Sequence, residues 1–382
     1  MVSLLNRSQN QSASAKLYRM PWLVLVVAAF LVSAGAGALY SVAGGSYEPW
    51  AVVHVSRFLA LTAIVLIIVV VPLRFWIKIS YPAYAAALLL LAIVPYAGVD
   101  AMGARRWLSV TGLQFQPSEF MKLALVVALA RFFQMTPNSQ TSSPLRVAAA
   151  LTMIAIPVLC TLRQPDLGSA ILLLVLGMAL LYLAGVSHIY FAAGAIAAAA
   201  AIPFILAGLH DYQRRRLTTF LDPEADPQGA GYHILQSKIA LGSGGISGRG
   251  FMQGTQSQLD FLPEKHTDFV FTMLGEEWGY VGSLALLAAY AVLLLLLARM
   301  ALQAATTYGR LVISGSLMTI FLYVFINVAM VTGLIPVVGI PLPLVSYGGT
   351  SMTTIMISLG LALSAHVHGH EDIGRARLGR RV

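Results

Sequence analysis

The sequence predicts an all-α polytopic membrane protein with about ten transmembrane helices, and three observations carry that prediction. Hydrophobic residues make up 58% of the 382-residue chain, more apolar surface than a single soluble core of this length can bury. They fall in long runs, near 21–43, 50–73, 76–98, 118–133, 147–162, 168–186, 189–209, 268–298, 310–333 and 344–366, most of which reach the roughly 20 residues that a helix needs to span a bilayer. Charged residues amount to only 10% and gather mainly between the runs.

Charge sets the expected orientation. Arg7, Lys16 and Arg19 precede the first run, Arg74 and Lys78 lie at the junction of the second and third, Arg131 and Arg146 flank the next loop on that side, and Arg375, Arg377, Arg380 and Arg381 end the chain. Cytoplasmic segments carry the Lys/Arg excess, so both termini are expected in the cytoplasm. The first run with Ser33-Ala-Gly-Ala-Gly-Ala38 imitates a signal peptide, but its removal would leave an odd number of spans and spoil the charge pattern. The net charge of +9 is accounted for by anchors near anionic lipid, and no nucleic-acid partner is expected. Cys160, the one cysteine, lies inside an apolar run, which excludes an internal disulfide and a cysteine-based metal cluster.

The exported loops break the charge rule. Arg105, Arg106, Arg163, Arg214, Arg215, Arg216, Lys238, Arg249 and Lys265 all fall on that side, and cations held against the bias point to an anionic ligand such as a phosphate. No soluble domain can be cut from the chain, which reads as one integral-membrane unit over 1–382 with a long exported loop at about 210–266. In that loop Tyr232, Leu235 and Ile239 recur at helical spacing while Gln236 and Ser237 face away, the pattern of a short interfacial helix. The glycine-rich stretch Leu241 to Gly250 lacks the Lys-Ser/Thr ending of a nucleotide loop and reads as glycines placed for tight turns.

The densest polar cluster lies where that loop re-enters the membrane. Glu264, Lys265, His266, Asp268, Glu276 and Glu277 stand beside a long apolar run, and an ionisable group in hydrocarbon costs roughly 2.5 to 3.5 kcal/mol on insertion scales, so such a cluster reads as a site. Asp268 is its sharpest member, because Phe269, Val270 and Phe271 follow at once and leave the carboxylate partly desolvated at the water boundary. Other polar segments share the exported side. Arg105 and Arg106 precede Gln116-Pro-Ser-Glu119, where Ser118 is placed to N-cap the next helix and Glu119 and Lys122, three apart, share one helix face. Asp166 is positioned to hold Arg163, and His54 and Arg57 lie within the second run, where at least one must turn inward; Arg57 is then a cavity candidate. The His366-x-His368-x-His370 alternation lacks acidic ligands at fixed spacing and is assigned no metal.

Near the end, Pro336, Pro341, Pro343 and Gly348-Gly349 break a helix, and irregular backbone at membrane depth must be buried in protein or line a cavity. This segment, with Gln116-Pro-Ser-Glu119, Gln164-Pro-Asp-Leu-Gly168, Asp222-Pro-x-x-Asp-Pro-x-Gly-x-Gly-Tyr232 and Leu262-Pro-Glu-Lys-His-Thr-Asp268, resembles the SEDS family of bacterial cell-wall polymerases from the first span to the last. Gly254-Thr-Gln-Ser257 and the absence of long tails look like the elongation branch rather than the division branch. The resemblance implies a ten-helix glycosyltransferase of the bacterial cytoplasmic (inner) membrane that polymerises lipid II into β-1,4 glycan strands. It also implies a class B penicillin-binding protein as transpeptidase partner, other elongation-complex membrane proteins around it, and an essential Asp268.

Inversion at an α-linked diphosphate needs one carboxylate base and no general acid once cations, with or without a divalent ion such as Mg or Mn, hold the leaving undecaprenyl diphosphate. Asp268 is the expected base. Arg57, Arg105, Arg106, Lys122 and Lys265 are the expected cations, Glu119 orients Lys122, and His266, Thr267 and Ser346 complete the expected substrate contacts. A lipid II flippase, which needs no base, and a non-catalytic scaffold for a transpeptidase are the competing classes.

Overall fold

In the computed structural model, residues 12–101, 104–110, 113–207, 214, 218–222, 230–258, 262 and 264–369 are described. Ten apolar helices stand among them: α1 (Leu23–Val42), α2 (Ala51–Val70), α3 (Leu73–Ala97), α4 (Pro117–Gln134), α5 (Pro144–Leu162), α6 (Leu167–Leu183), α7 (His188–Ala207), α8 (Val270–Gln303), α9 (Thr307–Val331) and α10 (Gly349–Val367). Each coincides with one of the ten apolar runs. Seven are long and apolar enough to cross a membrane; α6 and α7 carry shorter apolar stretches, and α4 carries Glu119, Lys122 and Arg131. The charges of α4 make sense from its position. Almost every residue from Pro117 to Ala130 is buried, so its neighbours are protein rather than lipid.

α4, α9 and α10 form the centre of the bundle. α9 packs on α4, α8 and α10, α10 on α2, and α3 on α4. Lipid tails are as apolar as leucine, so such helices associate through close packing and internal hydrogen bonds rather than through water exclusion. α7 lies outside, with residues 192–200 exposed.

The all-α reading misses one feature, a three-stranded antiparallel sheet in the α3–α4 connection: β1 (Val99–Ala101), β2 (Ala104–Val110) and β3 (Leu113–Phe115) in the order β1-β2-β3. β1 and β3 are too short for a period-two pattern to show, and β2, Ala-Arg-Arg-Trp-Leu-Ser-Val, does not alternate apolar with polar residues.

α8 spans 34 residues because two helices join across a kink at Gly279, whose backbone (φ 68, ψ −163) is not helical. The kink is stitched by the glycine-rich stretch. Tyr280 and Val281 donate backbone hydrogen bonds to the carbonyls of Gly245 (2.9 Å) and Ile246 (3.1 Å), while Arg249 and Gly250 donate to those of Glu276 (3.0 Å) and Glu277 (3.1 Å). A Cβ on Gly279 would stand 2.2 Å from the Gly248 nitrogen, and one on Gly248 would stand 2.1 Å from the Glu277 carbonyl oxygen. These glycines serve the turn and the close approach, as their sequence context predicts.

The loop helix exists, over Ala230–Ser243, but its inward face is rotated from the predicted one. Ile234, Ser237 and Ala240 are buried, Ile239 is exposed, and the Ser237 hydroxyl meets Thr272 Oγ1 at 2.7 Å and donates to the Val331 carbonyl at 2.8 Å. Its inner face rests on α8 and α9, where a serine with two partners is as acceptable as an alanine. Arg215, Arg216, most of the Asp222 to Tyr232 motif, Arg7, His370 and the final arginines lie outside the described residues.

Gly279→Ala must both accept a left-handed φ and displace a packed backbone, and it should lower stability by about 2 to 3 kcal/mol. Gly37→Ala, where an added Cβ meets nothing within 4 Å, should stay within about 0.5 kcal/mol of the parent. Thermal unfolding of the two variants in detergent checks the contrast; equal melting temperatures would contradict it.

Candidate functional site

The connections that the charge pattern assigns to the exported side converge on one cavity of about 580 Å3. Its wall takes Arg106, Trp107, Gln114 and Gln116 from the α3–α4 connection, Asp166 and Gly168 from the start of α6, Glu264 and His266 to Asp268 from the turn before α8, and residues 337–341 and 347–351 from the approach to α10. Glu119 and Tyr323 rise into it from α4 and α9, and Arg57 from α2.

The turn that presents Asp268 is set by its own backbone. Glu264 adopts a positive φ of 55°, and its carbonyl accepts from the N–H groups of Thr267 and Asp268, each at 3.1 Å. The Thr267 hydroxyl donates to the Glu264 carboxylate at 2.9 Å. Behind the turn Phe269, Val270 and Phe271 are buried. Withdrawal from water, with the negative Glu264 as a second contribution, pushes the Asp268 carboxyl up to about 7. His266 stacks on Trp50 with centroids 4.8 Å apart and planes at 13°; desolvation lowers its pKa, outweighing the nearby Glu264 charge that raises it.

A second polar group lies on the cavity floor. Lys122 Nζ stands 2.6 Å from Glu119 Oε1, and the Tyr323 hydroxyl accepts from Lys122 and donates to Glu119 Oε2. Glu119 and Tyr323 line the cavity, whereas Lys122 is only 1% exposed and lies beneath them. The predicted i, i+3 pair is therefore present, but the ammonium is held by its neighbours instead of facing a ligand. Ser118 is not the N-cap: Pro117 opens α4 after Gln116, and Ser118 Oγ meets Ser169 Oγ at 3.4 Å. Asp166 caps α6 by accepting from the Ser169 N–H at 3.2 Å and takes the Gln116 amide at 2.9 Å; these neutral donors, not Arg163, occupy its carboxylate.

Of the expected cations, Arg57 and Arg106 reach the cavity. Arg57 lies over the Tyr347 ring at 5.0 Å, and Arg106 donates to the Pro165 carbonyl at 2.5 Å. Arg105 is exposed and stands outside the wall. Lys265 lies in the turn but not in the wall. Ser346 is buried with its Oγ accepting from the Leu342 N–H at 2.8 Å, a place within the irregular backbone rather than on the cavity. His54, also buried, meets the Leu344 carbonyl at 3.0 Å.

Glu276 and Glu277 belong to the kink instead. Glu276 accepts from Thr255 Oγ1 (3.1 Å) and the Gln256 N–H (3.0 Å), and Glu277 from Ser41. Tyr323 is the residue that sequence reasoning missed, although Tyr323 and Asn327, four apart on one face of an apolar stretch of α9, carry the signal. Among the described residues no three His, Cys, Asp or Glu side chains come together as a metal site.

Residues 15–371 match the cell cycle protein family that groups FtsW, RodA and SpoVE. The chain is 46% identical over 288 residues to the peptidoglycan glycosyltransferase MrdB of Escherichia coli (strain K12), covering 75% of this chain and 77% of that protein. It is 38% identical over 279 residues to stage V sporulation protein E of Bacillus subtilis (strain 168), covering 72% and 75%. The fold superposes with a TM-score of 0.78 at 31% identity on a chain from a peptidoglycan synthase complex that coordinates polymerization and crosslinking, covering 93% of this chain and 99% of that one. Against the rod shape determining protein RodA of Thermus thermophilus the TM-score is 0.69 at 28% identity, with the same coverage. With a family match over nearly its whole length, this multi-pass membrane chain belongs to the FtsW/RodA/SpoVE, or SEDS, family.

Proposed function

We propose that this chain, a peptidoglycan glycosyltransferase, polymerises lipid II into β-1,4 glycan strands during cell elongation with Asp268 as its general base. The carrying observation is a carboxyl group held near neutrality in a cavity that also presents Arg57 and Arg106. A base is most effective when its pKa lies near the working pH. Asp268 takes the proton of the acceptor sugar's 4-hydroxyl as that oxygen attacks the anomeric carbon of the donor. The bond from that carbon to the diphosphate breaks on the opposite face, inverting the centre, and the electron pair leaves with undecaprenyl diphosphate. Arg57 and Arg106 compensate its charge. Among the described residues no three-ligand cluster stands ready for Mg or Mn; such an ion, if bound, would supply further charge compensation for the diphosphate, and no step above depends on it.

The chain would sit in the bacterial cytoplasmic membrane with both termini in the cytoplasm, as the Lys/Arg pattern supports. Its acceptor is the growing glycan strand. A class B penicillin-binding protein would cross-link the product within an assembly of elongation proteins; the likeness to a chain of a synthase complex that coordinates polymerization and crosslinking supports that partnership.

Asp268→Asn should cut polymerisation of lipid II by purified protein by about 100- to 10,000-fold, read as glycan chains on a gel, with membrane insertion and melting temperature retained. A variant that polymerises within a few-fold of the parent would remove Asp268 as the base.

The pH profile gives a second check. Asp268 is protonated and inactive below its raised pKa, so kcat/KM should rise with pH and level off above about 7. Glu264→Gln keeps an acceptor for the Thr267 hydroxyl but removes the negative neighbour, and the acid limb should move to lower pH. It should still stop above the ordinary carboxylate range, because burial is the larger cause. An unmoved limb would show that Glu264 does not act on the base.

A further inference from the structure

We infer that Asn327 is a positioning residue for the polymerisation base: it clamps the turn carrying Asp268 to the broken segment before α10 and so fixes where the carboxylate sits. Asn327 is fully buried on α9. Its Nδ2 donates to two backbone carbonyls at once, that of Asp268 at 2.9 Å and that of Ile340 at 2.7 Å. Its Oδ1 is buried with no hydrogen-bond partner. An amide turned the other way would set oxygen against two carbonyls, so the observed orientation is the one that the surroundings allow. A buried acceptor left without a partner costs about 1 to 3 kcal/mol; this side chain is placed for its two donors and not for its own satisfaction.

The clamp acts where the geometry is narrowest. Gly339, next to Ile340, has a φ of 79°, and a Cβ there would stand 3.2 Å from Asp268 Oδ2. The carboxylate therefore lies against bare backbone of the segment that Asn327 holds. One further contact joins the same two segments, and another ties the broken segment to α9. The Tyr347 N–H donates to the His266 carbonyl at 2.9 Å, and Met330 Sδ accepts from the N–H groups of Val338 (3.3 Å) and Gly339 (3.4 Å).

Tyr323, Asn327 and Met330 fall at i, i+4 and i+7 on α9, a single face. One rigid helix thus carries the Glu119 and Lys122 floor, the backbone of the base and the segment facing it. Polar groups of the right type can be present and still fail when they are about 1 Å out of place, at a cost of up to about 100-fold in rate. Asn327 never reaches the cavity wall, so its action passes through Asp268.

The inference rests on Asp268 serving as the base, a reading that Asp268→Asn tests by itself. Asn327→Ala and Asn327→Ser, purified in detergent and assayed with lipid II, should lose roughly 10- to 100-fold in kcat per folded molecule with KM within about threefold of the parent. Their acid limb should move to lower pH, because a base released from the clamp regains water. Gly315→Ala, on the same helix as Asn327, crowds Val126 of α4 at 2.4 Å and supplies the comparison: a destabilised protein whose limb stays in place. The proposal is overturned if either folded Asn327 variant keeps the parent's kcat and limb. It is equally overturned if the variants lose only yield while the surviving molecules titrate like the parent, since that outcome marks a purely structural residue. An inactive Asp268→Asn beside a normal Asn327→Ala would sink this inference alone.

Discussion

Irregular backbone buried inside an apolar bundle must find partners for its carbonyls and amides, and the segment between α9 and α10 shows what that demands. Its prolines rule out a continuous helix, and no water of the bilayer core is available to replace the lost bonds. Side chains of the surrounding helices supply them. Tyr290 of α8 donates to the Pro343 carbonyl, His54 of α2 meets that of Leu344, Asn327 of α9 donates to that of Ile340, and Ser346 folds back on Leu342. Three helices are thereby tied to one stretch of chain, and that stretch forms a wall of the cavity.

The same constraint explains how polar groups are distributed. Groups that look like parts of a site in the sequence divide into those that face the cavity and those that satisfy backbone. His54 and Arg57 lie one turn apart on α2, yet the first is a backbone partner and the second a cavity cation. Glu276 and Glu277 likewise hold residues 249–256 on the kinked α8, while Asp268, just outside the start of that helix, faces the cavity. In a medium without water most buried polar atoms take a local partner, and a cavity can offer a ligand only the few groups that face it.

The chemistry depends on this economy. Asp268 is withdrawn from water by packing behind it and repelled by one like charge beside it, which raises its proton affinity to near neutrality. The Glu119, Lys122 and Tyr323 group on the floor is the opposite case. A buried ion pair with a hydroxyl shared between its members is committed internally, and removing one member of such a pair typically costs about 3 to 5 kcal/mol. Loss of activity on changing Lys122 would therefore report the floor of the cavity rather than a phosphate contact.

Much of this was legible in the sequence. The ten apolar runs fixed number, order and approximate limits of the helices, because hydrocarbon thickness imposes their length. The crowding of Glu264, His266 and Asp268 against Phe269 to Phe271 marked a turn that lines the cavity, and the proline-glycine segment declared itself as cavity-lining. Other features were decided only by tertiary structure. Which of Arg105 and Arg106 faces inward depends on a short strand that leaves almost no periodic trace, and the inner face of the loop helix depends on which neighbours it meets. The burial of Lys122 under Tyr323 joins residues 201 apart in the chain, and the clamp of Asn327 on Asp268 joins residues 59 apart. Local sequence records the length and polarity that a bilayer demands of each segment; the pairing of distant polar groups is chosen by how the helices pack, and no local pattern encodes it.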